Sequence, residues 1–215
     1  MLRHPQGRGK WLVIILIGAM LSLPYLSWSQ SPVTDQVAVT ESQGIILGIH
    51  QGEGIARVPL AAGETIITKQ AKGITGFVQT SLRLLGYSGR LQRWSPQEFD
   101  VSERMLETFV SPRLILVVSE RRLYGFQTEI GRWKVQDLRP RDSMQQIIVK
   151  DHVAVLVGSD RVFGFSAFTG GFFLKDLPLS EEITNIQAND NIVILQFQEK
   201  QLIFRSGLAL WAEIR

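Results

Sequence analysis

The sequence predicts an all-β fold, a β-propeller of about five four-stranded blades, preceded by an N-terminal apolar helix. Three observations carry this. Residues recur with a period of 39, each repeat breaks into short apolar segments ended by turn residues, and an unbroken apolar run is confined to the first thirty residues.

The period is visible in the text. Arg121–Gly131 reads RRLYGFQTEIG, and Asp160–Gly170 reads DRVFGFSAFTG. The same shift backwards reaches Leu82–Gln92 and forwards reaches Glu199–Ala209. One aromatic column is Tyr87, Phe126, Phe165 and Phe204, and a second is Trp94, Trp133, Phe172 and Trp211. Gly86, Gly125 and Gly164 form a third column, which ends in Ile203. In a chain with 9% aromatics, two such four-member columns do not arise by accident. A weaker first copy is offset by 38, with Leu47-Gly48-Ile49 aligned on Leu85-Gly86-Tyr87 and Val39 on Phe77.

Within a repeat, Val153–Val157 is a β-branched apolar run closed by Gly158-Ser159-Asp160. Arg161–Ser166 alternates as a second strand, Gly170-Gly171 turns the chain, Phe172–Leu177 forms a third, and Ile183–Ala188 a fourth. Neighbouring copies place Leu114–Val118 and Ile192–Leu195 at the position of the Val153 run. Both parities of that run are apolar, as in a strand covered on two faces. Four strands per repeat of about 40 residues fit a propeller blade, with the aromatic columns as plugs between blades. A stacked open solenoid is the alternative architecture. The first copy starts so close to the leader that its opening strand would fall near residues 27–33, with only Ser31–Thr34 free to supply one. A five-blade ring with one thin blade, and with association, is the expected outcome. The alternatives are an open arc completed by a second copy or by a partner.

Residues 1–29 read as an export signal or an uncleaved membrane anchor, and 30–215 as the propeller. Arg3, Arg8 and Lys10 precede the run Trp11–Leu23, Pro24 breaks it, and Ser27-Trp28-Ser29 offers small residues at a cleavage site before Gln30. Cleavage is favoured because Pro24 shortens the helix. If the leader is retained, residues 11–28 contact the membrane, since 18 mostly apolar residues approach the minimum span. Either way the body is expected outside the cytoplasm, in a periplasm, a lumen or the medium.

Composition removes several functions. The net charge of +3 comes entirely from the leader, and the remaining body is neutral, so the basic excess that binds nucleic acid is missing. Without cysteine there are no disulfides, thiolate metal sites or cysteine nucleophiles. His4 lies in the leader, and His50 and His152 stand far apart with no acid cluster at ligand spacing. No nucleophile elbow, phosphate loop or zinc-protease motif occurs. Accordingly no cofactor and no metal is expected.

Two charged columns remain. Glu64, Glu103, Asp142 and Glu181 recur ahead of the first strand of each repeat, and Arg83, Arg122, Arg161 and Lys200 recur in the turn two strands on. Up-and-down strands bring both turns to one end of the sheet, about 9.5 Å apart, within reach of an arginine. The plainer role is a repeated salt bridge at blade entry. The functional alternative is a charged face, with a ring of carboxylates able to hold a cation or a basic partner. Asp137–Ser143, with Arg139 and Arg141 around Pro140, reads as a solvated turn, with contact to lipid head groups or an acidic partner as the alternative. Glu98–Glu107 reads as polar, with room for a helical turn.

The blade order of apolar strand, turn, basic residue, Leu-Tyr-Gly-Phe and an aromatic after a Gly turn resembles the quinoprotein-type (PQQ-like) repeat of extracytoplasmic propellers. The resemblance covers Val37–Arg215 and is clearest over Leu114–Leu177. It implies the propeller fold. The usual acid after the strand aromatic is replaced by Gln127 and Ser166, and no vicinal disulfide can form, so the cofactor site of the redox members is not implied. The sequence thus reads as an exported, non-catalytic propeller that binds protein partners beside a membrane complex. A lectin-like propeller, looked for at Phe99, Phe109 and Phe168, is one alternative. A propeller hydrolase, with Asp151, Asp190 and Glu182 as acids, is the other.

Overall fold

A computed structural model describes residues 35–52, 54–177 and 182–215. The expected leader, residues 1–29, lies outside them. Every regular element among the described residues is a strand, so none of them forms a helix long and apolar enough to cross a membrane.

Among the described residues nineteen strands form five antiparallel sheets. The first sheet has three, Val37–Ser42 (β1), Ile45–His50 (β2) and Gly54–Pro59 (β3). The second has Ile66–Lys72 (β4), Thr75–Thr80 (β5), Arg83–Ser88 (β6) and Arg93–Glu98 (β7). The third has Met105–Val110 (β8), Leu114–Ser119 (β9), Arg122–Gln127 (β10) and Arg132–Asp137 (β11). The fourth has Gln146–Val149 (β12), Val153–Val157 (β13), Arg161–Ser166 (β14) and Phe172–Asp176 (β15). The fifth has Asn185–Ala188 (β16), Ile192–Gln196 (β17), Gln201–Arg205 (β18) and Leu210–Ile214 (β19). Strands pair in chain order in every sheet. This is the blade pattern of a propeller, with four four-stranded blades and a three-stranded first one. In the repeat β1 occupies the place of β5, so three strands of the first blade fall among the described residues.

Packing explains the columns. The middle strands β9 and β13 are buried on both faces, which is why both of their parities are apolar. Successive sheets share one core each. Ile46 meets Val78 and Leu85, and Phe77 and Leu84 meet Ile115 and Val117. Leu114 and Leu116 meet Ala154 and Leu156, and Val153 and Val155 meet Val193 and Leu195. The rings of Tyr87, Phe126, Phe165 and Phe204 are fully buried, and each lies on a glycine of the preceding sheet, Gly48, Gly86, Gly125 and Gly164 in turn. The second column sits half-buried beside the first, with ring centroids 5.1 Å apart for Tyr87 and Trp94 and 5.0 Å for Phe126 and Trp133. Its indole N–H groups donate to the preceding sheet, Trp94 to the Ala56 carbonyl at 3.2 Å, Trp133 to Ser95 at 2.8 Å and Trp211 to Phe173 at 2.8 Å.

Two expectations change. Ring closure predicts a fifth core between the last sheet and the first. Among the described residues no buried cluster joins them; on their outward faces Leu47, Ile49, Ile192 and Ile194 are half-buried, whereas Ile203 is buried. Glu98–Glu107 holds no helical turn. Glu98 ends β7, a short turn with Asp100 Oδ1 accepting the Ser102 N–H at 2.9 Å follows, and β8 starts at Met105. Strand pairing on both sides claims those backbone groups first.

Candidate functional site

The charged columns come together in the sheets as spacing predicts, but as closed pairs. Glu64 lies just before β4, and Arg83 opens β6. The guanidinium grips the carboxylate at two points, Nε to Oε1 and Nη2 to Oε2, both at 2.9 Å. The Thr80 hydroxyl donates to Glu64 Oε1 at 2.6 Å, and the Ala61 N–H donates to Oε2 at 2.7 Å. Asp142 and Arg161 repeat the double grip, with Nε–Oδ1 at 2.7 Å, and the Arg139 N–H donates to Asp142 at 2.6 Å. Glu103 is held by the Ser119 hydroxyl and by Tyr124 Oη at 2.8 Å. Arg122 stands farther off at 3.4 Å and turns also to Asp137. Glu181 lies outside the described residues. Lys200 lies with Nζ 5.5 Å from the centre of the Phe197 ring.

Burial decides what these groups can do. The carboxylates of Glu64, Glu103 and Asp142 are at most 1% exposed, and Arg161 only 4%. Burial pushes the Glu64 and Asp142 carboxyls up, but the arginine, with the hydrogen bonds to Thr80 and Ala61 or to Arg139, outweighs it. Both end below the usual carboxylate range and stay ionised. Burial, with Glu103 beside it, pushes the Tyr124 phenol up to about 12. Glu64, Glu103 and Asp142 therefore take the plainer of the two expected roles, ion pairs at blade entry, and not the alternative of an open ring of carboxylates. Each acid spends its lone pairs tying the entry of its blade to the strand two places on. Sequence spacing found the acid and the base but missed Thr80 and Ser119, although these also stand 39 apart.

The acids weighed for a hydrolase are divided. Asp151 and Asp190 share a groove of about 510 Å³ with Lys72, Thr108, Ser111 and Lys150. Glu182 lines a different one of about 450 Å³, with Gln145 and Ser159. Among the described residues no three His, Asp or Glu side chains are grouped as metal ligands would be. His152, beside the first groove, stacks on Phe168 at 4.7 Å. Burial, aided by Arg113, holds its pKa below the ordinary histidine value against Asp151 and Asp190.

At the end of the strands opposite the ion pairs lies a feature that sequence reasoning passed over. The turn between the third and fourth strands places a residue in the left-handed region at the same position of each four-stranded sheet. These are Gln92 at 49°, Gly131 at 63°, Gly170 at 59° and Ala209 at 50°, spaced by 39. The residue before it is Leu91, Ile130 and Leu208 in three sheets, and in the fourth Phe168 stands one place earlier. These tips are 40%, 41%, 60% and 47% exposed. The turn of the third sheet is tied to the preceding sheet, since in β7 the Arg93 guanidinium donates to the Ile130 carbonyl and the Ser95 hydroxyl to Gly131 O at 2.7 Å. The column was legible in the repeat, once loop positions were aligned as carefully as strand positions.

No family model matches the chain, and no curated protein matches it. Among solved structures it is similar to HIRA(644-1017), at 12% identity over 83% of this chain and 52% of that one, with a TM-score of 0.39. It is also similar to Prp20p of Saccharomyces cerevisiae, at 10% identity over 80% and 55%, with a TM-score of 0.40. For Hsv2p of Kluyveromyces lactis the figures are 10% identity, 84% and 60%, and a TM-score of 0.38. The chain thus spans little more than half of the structures it matches. At these scores the likenesses carry no functional weight, and the propeller assignment rests on the sheets themselves.

Proposed function

We propose that this chain is an exported, non-catalytic propeller that docks protein partners, an accessory or assembly subunit beside a membrane complex. The row of exposed apolar tips carries this reading. Leu91, Ile130, Phe168 and Leu208 stand at equivalent turns of four blades, on one rim, where single exposed apolar residues have become a repeated series. At the other end the described carboxylates Glu64, Glu103 and Asp142 are committed to buried pairs, which leaves the rim as the better-developed contact surface. The leader pattern and the likeness of the blades to quinoprotein-type repeats support the extracytoplasmic setting.

The test is affinity capture of the full chain from solubilised membranes, run in parallel with a Leu91→Ser, Ile130→Ser, Leu208→Ser variant. A defined partner held by the parent and lost by the folded variant supports the reading. Equal capture by both, or turnover of a glycan by the parent, sinks it.

One observation favours a second reading. Phe168 is an exposed ring held flat by His152, the kind of platform on which a sugar face stacks. Binding of an oligosaccharide that Phe168→Ala abolishes would move the assignment to a lectin.

A further inference from the structure

The groove of about 510 Å³ that holds Asp151 and Asp190 opens at the rim end of the sheets, opposite the buried ion pairs. Its walls come from the ends of the first strands of four sheets. Lys72 closes β4, Thr108 and Phe109 belong to β8, Lys150 and Asp151 follow β12, and Asp190 follows β16. Small-ligand sites have volumes of about 300–1,000 Å³, so this groove is of their size.

The residues here do not keep the repeat. Positions 72, 111, 150 and 189 hold Lys, Ser, Lys and Asn, and the positions after them hold Gly, Pro, Asp and Asp. Columns that build the blades keep one chemistry from sheet to sheet, as Glu64, Glu103 and Asp142 do. Blade assembly therefore does not dictate Lys72, Lys150, Asp151 or Asp190. Departures from an otherwise consistent pattern gather at functional sites.

Nor are these four side chains spent within the protein. Among the described residues none of them makes a hydrogen bond or an ion pair, although both signs line one groove. Glu64, by contrast, accepts from Arg83, Thr80 and Ala61. Ser111 serves the wall itself, its hydroxyl donating to the Asp151 carbonyl at 3.3 Å.

The charges select the ligand. Two ammonium groups and two carboxylates sum to zero, so a simple anion is repelled by Asp151 and Asp190 and a metal cation by Lys72 and Lys150. A small zwitterion answers one group of each sign. A molecule with several hydroxyls answers all four, because a hydroxyl can both donate to a carboxylate and accept from an ammonium. The half-buried Phe109 ring adds an apolar wall, which suits the C–H face of a sugar ring.

We infer that this groove binds a neutral sugar, with Asp151 and Asp190 accepting from its hydroxyls, Lys72 and Lys150 donating to them, and Phe109 as the apolar wall. The site is separate from the rim tips that dock partners, and Phe168 is not one of its walls.

The test is isothermal titration calorimetry of the full purified chain with neutral trisaccharides of glucose, mannose, galactose and N-acetylglucosamine. Inorganic phosphate, calcium and glycine serve as anionic, cationic and zwitterionic probes. At least one trisaccharide should bind with a Kd of about 1 mM or tighter, and the three small probes should not. Asp190→Ala and Lys150→Ala should each weaken that binding by about tenfold. Both residues are exposed, so the fold should survive, and an unchanged melting curve checks that it does. Asp151→Asn should act in the same direction. Failure of all four trisaccharides to bind, binding of phosphate, calcium or glycine in their place, or an affinity indifferent to Asp190→Ala would overturn the inference. So would a loss seen in Phe168→Ala but in none of the groove variants, which would put the sugar on the platform. Hydrolysis of the bound trisaccharide would keep the site and overturn the non-catalytic reading. Partner capture at the rim is measured separately, so either surface can fail alone.

Discussion

The Phe126 ring lies flat on Gly86 of the preceding sheet, so close that a Cβ on Gly86 would stand 2.7 Å from two ring atoms. Glycine here is a matter of space: the aromatic column and the glycine column are two halves of one contact, made between different repeats. Gly86→Ala should therefore destabilise by about 1–3 kcal/mol, the usual cost of overpacking a filled core. A thermal or urea melt checks it. An unchanged midpoint would mean that the ring is free to move off the glycine.

Breaking the Asp142–Arg161 pair should cost more than removing it. Arg161→Met leaves a carboxylate buried without its partner, a loss of about 3–5 kcal/mol, whereas Asp142→Leu with Arg161→Met removes both charges and should recover much of it. The same pair sets an acid limit. The folded-state pKa values of Asp142 and Glu64 lie below their ordinary values, so their contribution is full above the ordinary carboxylate range and is lost as pH falls through the lowered native values. Unfolding midpoints measured from neutral pH downwards should decline in that acidic window, less steeply in the double variant. Identical slopes in parent and double variant would refute the assignment.

Much of this is legible in the sequence. The Trp94 and Tyr87 columns gave the blade interfaces, and the 39-residue spacing of Glu64 and Arg83 gave the ion pairs, because strands pairing in chain order turn sequence period directly into spatial period. What could not be read was burial. Whether a repeated carboxylate faces a channel or a protein interior depends on Thr80, Ala61 and Tyr124, which a charge pattern does not rank. Glycine is required only where a following ring covers it, as Phe204 covers Gly164.

The turn before the fourth strand offers the last test. Gln92, Gly131, Gly170 and Ala209 all take the left-handed conformation, which costs a residue with a Cβ roughly 1–2 kcal/mol and glycine little. Glycine also loses more chain entropy on folding, so the two effects oppose each other. At Ala209 the strain should win narrowly, and Ala209→Gly should leave stability unchanged or raise it by up to about 1 kcal/mol. At Gly131 both steric effects point the same way. A Cβ would press on the Leu91 side chain at 3.1 Å as well as strain the backbone, so Gly131→Ala should lose about 1–2 kcal/mol. It should also displace the neighbouring tips, and so weaken partner capture beyond its effect on folding. Stability changes of opposite sign to these, measured by chemical denaturation, would show that the repeated turn does not hold the rim in place.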